Sequence, residues 1–114
     1  MKVLSITPAP RLAGTRYWLL SASGFDVLTA TTPEAAEAVL RTHSVQCVII
    51  GHNFNANDIA EMEHAAARHG VPYIKLTVSA AEPVPEPNAS VSVWDGPEAL
   101  LLACRSFCGS SVSD

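Results

Sequence analysis

Val45-Gln46-Cys47-Val48-Ile49-Ile50, followed by Gly51-His52-Asn53, is the stretch that decides the fold. Apart from Gln46 the run is apolar, with no alternation of apolar and polar residues, so it reads as a strand covered on both faces. Such strands lie in sheets with helices on either side. The flanking sequence supplies those helices. Upstream, Thr32-Pro33-Glu34 combines an N-cap residue, a proline in the first turn and an early acid, which predicts a helix through about Thr42. Phe25–Ala30 reads as a strand before it. Further back, Pro10 to about Ser23 reads as a helix stopped by Gly24, and Lys2–Ile6 as a strand closed by Thr7-Pro8-Ala9-Pro10.

Downstream, Gly51–Asn57 reads as a loop. Asp58 with Glu61 three residues on forms a capping box for a helix with Ile59, Met62 and Ala66 on its apolar stripe, ending at Gly70. Val71–Leu76 is a strand, with Pro72 near its start where a missing N–H matters least. Ala80–Asn88, broken by Pro83, Pro85 and Pro87, is a loop. Ser90–Trp94 is a last strand, and Pro97 opens a last helix with Leu100, Leu101, Cys104 and Phe107 on one face. The alternation predicts an α/β fold, a three-layer αβα sandwich around a five-stranded parallel sheet. Residues 1–108 form one domain, and 109–114 a flexible tail.

Composition narrows the function. The hydrophobic fraction of 48% suits a buried core, and the net charge of −4, with seven scattered Lys and Arg, argues against a nucleic-acid partner. No apolar run approaches the ~18 residues needed to cross a bilayer, and the one at the N-terminus is too short, and too soon interrupted by Pro8 and Pro10, for a signal peptide. Cys47, Cys104 and Cys108 are odd in number and lack a framework spacing, which predicts thiols in a reducing cytoplasm.

The order and spacing of KVLSI, Pro10, Gly24-Phe25-Asp26-Val27, Thr29-Ala30, Glu34-Ala36-Leu40, VQCVII, Val71-Pro72-Tyr73-Ile74-Lys75-Leu76-Thr77 and Pro97-Glu98-Ala99-Leu100 resemble the receiver domain of bacterial response regulators. The resemblance implies a flavodoxin-like sheet in the order 2-1-3-4-5. It also implies a site, and the residues depart from it. The acidic pair that holds magnesium falls at Thr7 and Pro8, the phosphoacceptor Asp at Gly51, and the fifth-strand Lys at Val93 or Trp94. Of that set only the hydroxyl residue, Thr77, is kept. Magnesium prefers carboxylates, and an acyl phosphate needs a carboxylate nucleophile. The resemblance therefore implies a degenerate pseudo-receiver. Its fourth helix is expected to be replaced or shortened by the Ala80–Asn88 loop.

Other candidates each have a plainer alternative. His52 and Asn53, with Thr77, fall where strand ends open into a crevice, the usual ligand position of doubly wound sheets, or else line a crevice that is closed over. Glu61 and His64 have the i, i+3 spacing of carboxylate metal sites but lack a second ligand set, so a solvated face is expected. His43 and His69 suit helix C-termini. The cysteines read as buried thiols. In the gapless alignment Thr15 and Arg16 take the buried face of the first helix and Tyr17 and Trp18 the outer one. Either the helix is rotated, or Tyr17 and Trp18 form an exposed interface patch.

The expected function is a phosphorylation-independent interaction module in signal transduction, with a small-ligand sensor built on the crevice as the alternative. No enzymatic activity, cofactor or metal is expected. The expected partner is another protein or a second copy, with no nucleic acid or membrane, in the cytoplasm.

Overall fold

The computed structural model describes residues 2–78, 84 and 88–108. Its strands are β1 (Lys2–Ile6), β2 (Asp26–Ala30), β3 (Cys47–Ile50), β4 (Tyr73–Thr77) and β5 (Ala89–Ser92). Its helices are α1 (Pro10–Ala22), α2 (Pro33–Thr42), α3 (Ala56–Arg68) and α4 (Pro97–Cys108). All strands pair in parallel in the order β2-β1-β3-β4-β5, as the resemblance implies. The positions 109–114, expected as a tail, and most of Ala80–Asn88 lie outside the described residues. Within that loop, Val84 packs against the core and Asn88 Oδ1 accepts from the Tyr73 amide at 2.9 Å.

The central strand is buried on both faces, as its composition requires: Cys47, Val48, Ile49 and Ile50 are all inaccessible. Alternation sends Val48 and Ile50, with Leu4 and Ile6, toward Leu40 of α2 and Met62, Ala65 and Ala66 of α3. Cys47 and Ile49, with Val3, Ile74 and Val91, face Leu20 of α1 and Leu100 and Cys104 of α4. Each fully buried aliphatic side chain contributes roughly 1.5–3 kcal/mol. The two layers make one three-layer domain with α1 and α4 on the same side.

Several boundaries differ from the sequence reading. Phe25, Val45 and Pro72 precede their strands, and β4 extends to Thr77. The fifth strand stops at Ser92, and Val93–Asp95 turns as a single 3-10 segment. Thr32 caps α2 as expected, its Oγ1 accepting from the Ala35 amide at 3.1 Å. Asp58 does not cap α3. Asn55 does, its Oδ1 accepting from the Asp58 amide at 2.8 Å, so α3 starts three residues earlier and Asp58 sits in its first turn, where its charge favours the helix dipole. After α1, Gly24 takes φ +96°, a backbone shape that suits glycine, and lets the Phe25 amide return to the Leu20 carbonyl. None of the described helices is long and apolar enough to cross a membrane.

Candidate functional site

The C-terminal ends of β1 and β3 meet at Thr7 and Gly51. Both are buried, and the Gly51 amide donates to the Ile6 carbonyl at 2.9 Å. That closeness explains the glycine. A Cβ at position 51 would lie 2.9 Å from the Ile6 carbonyl oxygen, 3.1 Å from Arg16 Nη1 and 3.3 Å from Thr7 Cβ. The first is closer than carbon and oxygen tolerate, and it involves backbone. Position 51 therefore lacks both a carboxylate and the room for one.

Arg16 comes from α1, one turn before Leu20 on the same helical face. Its side chain is only 8% exposed. Nη1 is buried and has no hydrogen-bond partner among the described residues. Burial lowers its pKa from the ordinary arginine value, but a guanidinium keeps its proton at neutral pH. A fixed positive charge thus sits over the end of β3.

His52 lies in the field of that charge. Burial, and then the charge of Arg16, push its pKa below the ordinary histidine value, so at neutral pH the ring is uncharged. Its Nδ1 is buried and, like Arg16 Nη1, lacks a partner among the described residues. Thr7 Oγ1 is already engaged, accepting from the Ala9 amide at 3.3 Å.

Arg16 also lines a cleft of about 160 Å³ between α1, α4 and the ends of β4 and β5. Leu19, Leu76, Val91, Val93, Pro97 and Leu100 make most of its wall, with Ser92 and Gly96 at its polar edge. The sequence-predicted positions are thus brought together only in part. Thr7, Gly51 and His52 gather around Arg16, and Val93 lines the adjoining cleft. Thr77 is buried at the end of β4, whereas Pro8 and Asn53 are exposed. Arg16 is the residue that site-reading from sequence missed. Its signal was a charge on the face of α1 that must meet the sheet.

Elsewhere the candidates resolve simply. Tyr17 is 49% exposed and Trp18 76% exposed, so α1 is not rotated to bury them, and with Ser21 and Ala22 they border a shallow hollow. Thr15, expected on the buried face, is exposed, its hydroxyl donating to the Arg11 carbonyl at 3.1 Å. Glu61 and His64 are exposed on α3, and no metal-binding group of His, Cys, Asp or Glu occurs among the described residues. His69 does more than end its helix: Nε2 lies 2.9 Å from Glu37 Oε2, while Arg68 Nη2 donates to Glu37 Oε1 at 2.6 Å. Cys47 and Cys104 are buried, and a hydrogen bond between them lowers the Cys104 thiol against the opposing effect of burial.

By sequence the chain matches no protein-family model and no curated protein. By structure it is similar to solved receiver domains. One is the N-terminal domain of a response regulator/sensory box/GGDEF three-domain protein from Carboxydothermus hydrogenoformans, 18% identical with a TM-score of 0.78, covering 94% of this chain and 93% of that one. A second is the chemotaxis protein CheY4 of Vibrio cholerae, 19% identical with a TM-score of 0.75, covering 93% of this chain and 97% of that one. The signal receiver domain of an HD domain-containing protein from Pseudomonas fluorescens Pf-5 is 18% identical, with a TM-score of 0.79 and coverage of 99% and 98%. The chain has the receiver fold.

Proposed function

We propose that this chain is a receiver-like signalling domain that works through protein contacts and is not switched by phosphorylation. The observation that carries the reading is the end of β3. Gly51 is packed against the Ile6 carbonyl and Arg16, and the neighbouring positions are Thr7 and Pro8. The acyl phosphate that receivers form needs a carboxylate nucleophile, and magnesium, a hard cation, prefers carboxylates to hold it. A buried guanidinium stands there instead, and it repels a divalent cation. On this reading the domain is not an enzyme and needs no cofactor. It acts in the cytoplasm on another protein or a second copy, not on nucleic acid or membrane, and the exposed Tyr17–Trp18 patch is its contact surface.

Incubation with acetyl phosphate and magnesium, followed by intact-mass measurement, tests the reading. The mass is expected to stay unchanged, and magnesium alone to leave the melting temperature where it was. A stoichiometric adduct of one phosphoryl group, labile in base, would overturn it.

A further inference from the structure

Arg16 raises a question that a lost phosphorylation site does not answer. Burying a cation without a partner is expensive, and an apolar residue of similar length is often the more stable choice at such a place. The guanidinium cannot escape by losing its proton. Yet Arg16 is buried at 8% exposure, Nη1 is unpartnered among the described residues, and His52 Nδ1 is a second buried polar atom left without a partner beside the same charge. Arg16, though not His52, also lines the cleft between α1 and α4, and an uncompensated charge there marks a place that an absent group would complete.

The cleft defines that group. Its one charged residue is Arg16, and the surface opposite is hydrocarbon from Leu76, Val91, Val93 and Leu100. A planar carboxylate matches the guanidinium fork with two parallel hydrogen bonds. A phosphate would bring up to two charges to a single cation and leave most of its oxygens against hydrocarbon, where each lost hydrogen bond is penalised. The volume, about 160 Å³, is close to that of an apolar cavity that takes up benzene, ~150 Å³. The start of α4 at Gly96 and Pro97 lines the same cleft and adds the favourable end of a helix dipole.

We propose that this cleft binds a small organic monocarboxylate of about benzoate's size, its carboxylate paired with Arg16 and its apolar body lying against Leu76, Val91 and Leu100. The site does not depend on whether the domain can be phosphorylated, so the two readings stand or fall by separate measurements.

Thermal melts and heteronuclear NMR titrations with benzoate, 4-methylpentanoate, the uncharged isostere benzamide, and inorganic phosphate test it. At about ten times its Kd a carboxylate should raise the melting temperature by roughly 5 °C, saturably. Its resonance changes should fall on the α1, β4–β5 and α4 residues of the cleft. Benzamide and phosphate should bind at least tenfold more weakly. Arg16→Met should keep the fold and lose the carboxylate preference, while Arg16→Lys should weaken it, because an ammonium lacks the planar fork. The neutral isostere keeps the test decisive in the unaltered chain, even if the variants fold poorly. Equal binding of benzamide and benzoate would overturn the proposal in favour of a plain apolar cleft. Phosphate binding as well as benzoate would overturn it in favour of a general oxyanion site. No saturable carboxylate response would remove the site altogether.

Discussion

Beneath α2 and α3 the sheet is covered by hydrocarbon from Leu40, Met62, Ala65 and Ala66, and side chains cap both helices. Glu37 ties the pair together by taking both Arg68 and His69. Beneath α1 and α4 the packing is of another kind. The residue before α1, Ala9, offers no side-chain cap, and the helix buries Arg16 while exposing Tyr17 and Trp18. Ser5, which shares a strand face with Val3, and Arg16 each bury a polar atom that has no partner among the described residues. One layer has its polar groups matched, and the other holds charge and aromatic surface that the domain's own packing does not use. Unsatisfied groups lower stability, and their concentration on one side agrees with the contact surface and cleft proposed there.

The heaviest test of this contrast strikes the matched layer. Val48 is inaccessible and points into the α2/α3 core. Val48→Asp should cost several kcal/mol and unfold the domain, because nothing apolar can solvate the charge. Loss of the cooperative melt and of near-ultraviolet dichroism is the expected reading. A soluble, cooperatively melting variant would be fatal to the layer assignment.

Next comes the junction between the layers. Gly51→Ala places a methyl 2.9 Å from the Ile6 carbonyl and 3.1 Å from Arg16 Nη1. Urea unfolding should show a loss of about 1–3 kcal/mol, the usual cost of overpacking. A neutral result would mean that the end of β3 is looser than the distances imply, and that a larger residue could be accommodated there.

That junction also shows what could be read without coordinates and what could not. The alternating strands and helices follow from apolar runs and caps, which are local signals, whereas the strand order comes only from the resemblance to receiver domains. Strand ends moved by a residue or two, because pairing register decides them and register is a property of neighbours: Val71 and Pro72 read as strand, yet it is Tyr73 that lies opposite Val48. The start of α3 moved because Asn55 and Asp58 both suit a cap and only backbone geometry selects between them. The site was legible as a set of missing carboxylates. It was not legible as a charge. The alignment with receiver domains puts Arg16 on the inner face of α1 but cannot say that a residue far along the chain, Gly51, makes room for it.

A smaller effect is expected at the tie between α2 and α3. Hydrogen bonds from His69 and then Arg68 hold the Glu37 carboxyl below the ordinary glutamate value. A depressed folded-state pKa means that the carboxylate stabilises above its unfolded value of 4.5 and that this contribution disappears as pH falls through the lower folded value. Because the pair is half open to solvent, Glu37→Gln should cost less than about 1 kcal/mol at neutral pH. The melting curves of variant and wild type should converge as pH falls through the lowered folded-state value of Glu37. A gap that persists in acid would assign the cost to packing instead of charge.

The smallest effect on stability, and the most informative one, belongs to Trp18. At 76% exposure its ring touches little of the core, so Trp18→Ala should change unfolding free energy by no more than about 0.5 kcal/mol, the usual range for surface substitutions. Its effect should appear in association. Large aromatics left on a surface are the residues that dominate interfaces once covered, and Tyr17 beside it, with Ser21 and Ala22, extends the patch around a hollow of about 290 Å³. Sedimentation of wild type and variant over a range of concentrations reads self-association directly, and capture of native binding proteins by the two forms reads a different partner. The expected outcome is a loss in one of these with an unchanged melt. A loss of several kcal/mol instead would put Trp18 in the core and rotate α1. That rotation would carry Arg16 away from Gly51, so the same result would also undo the charge at the end of β3, and with it the contrast between the two layers.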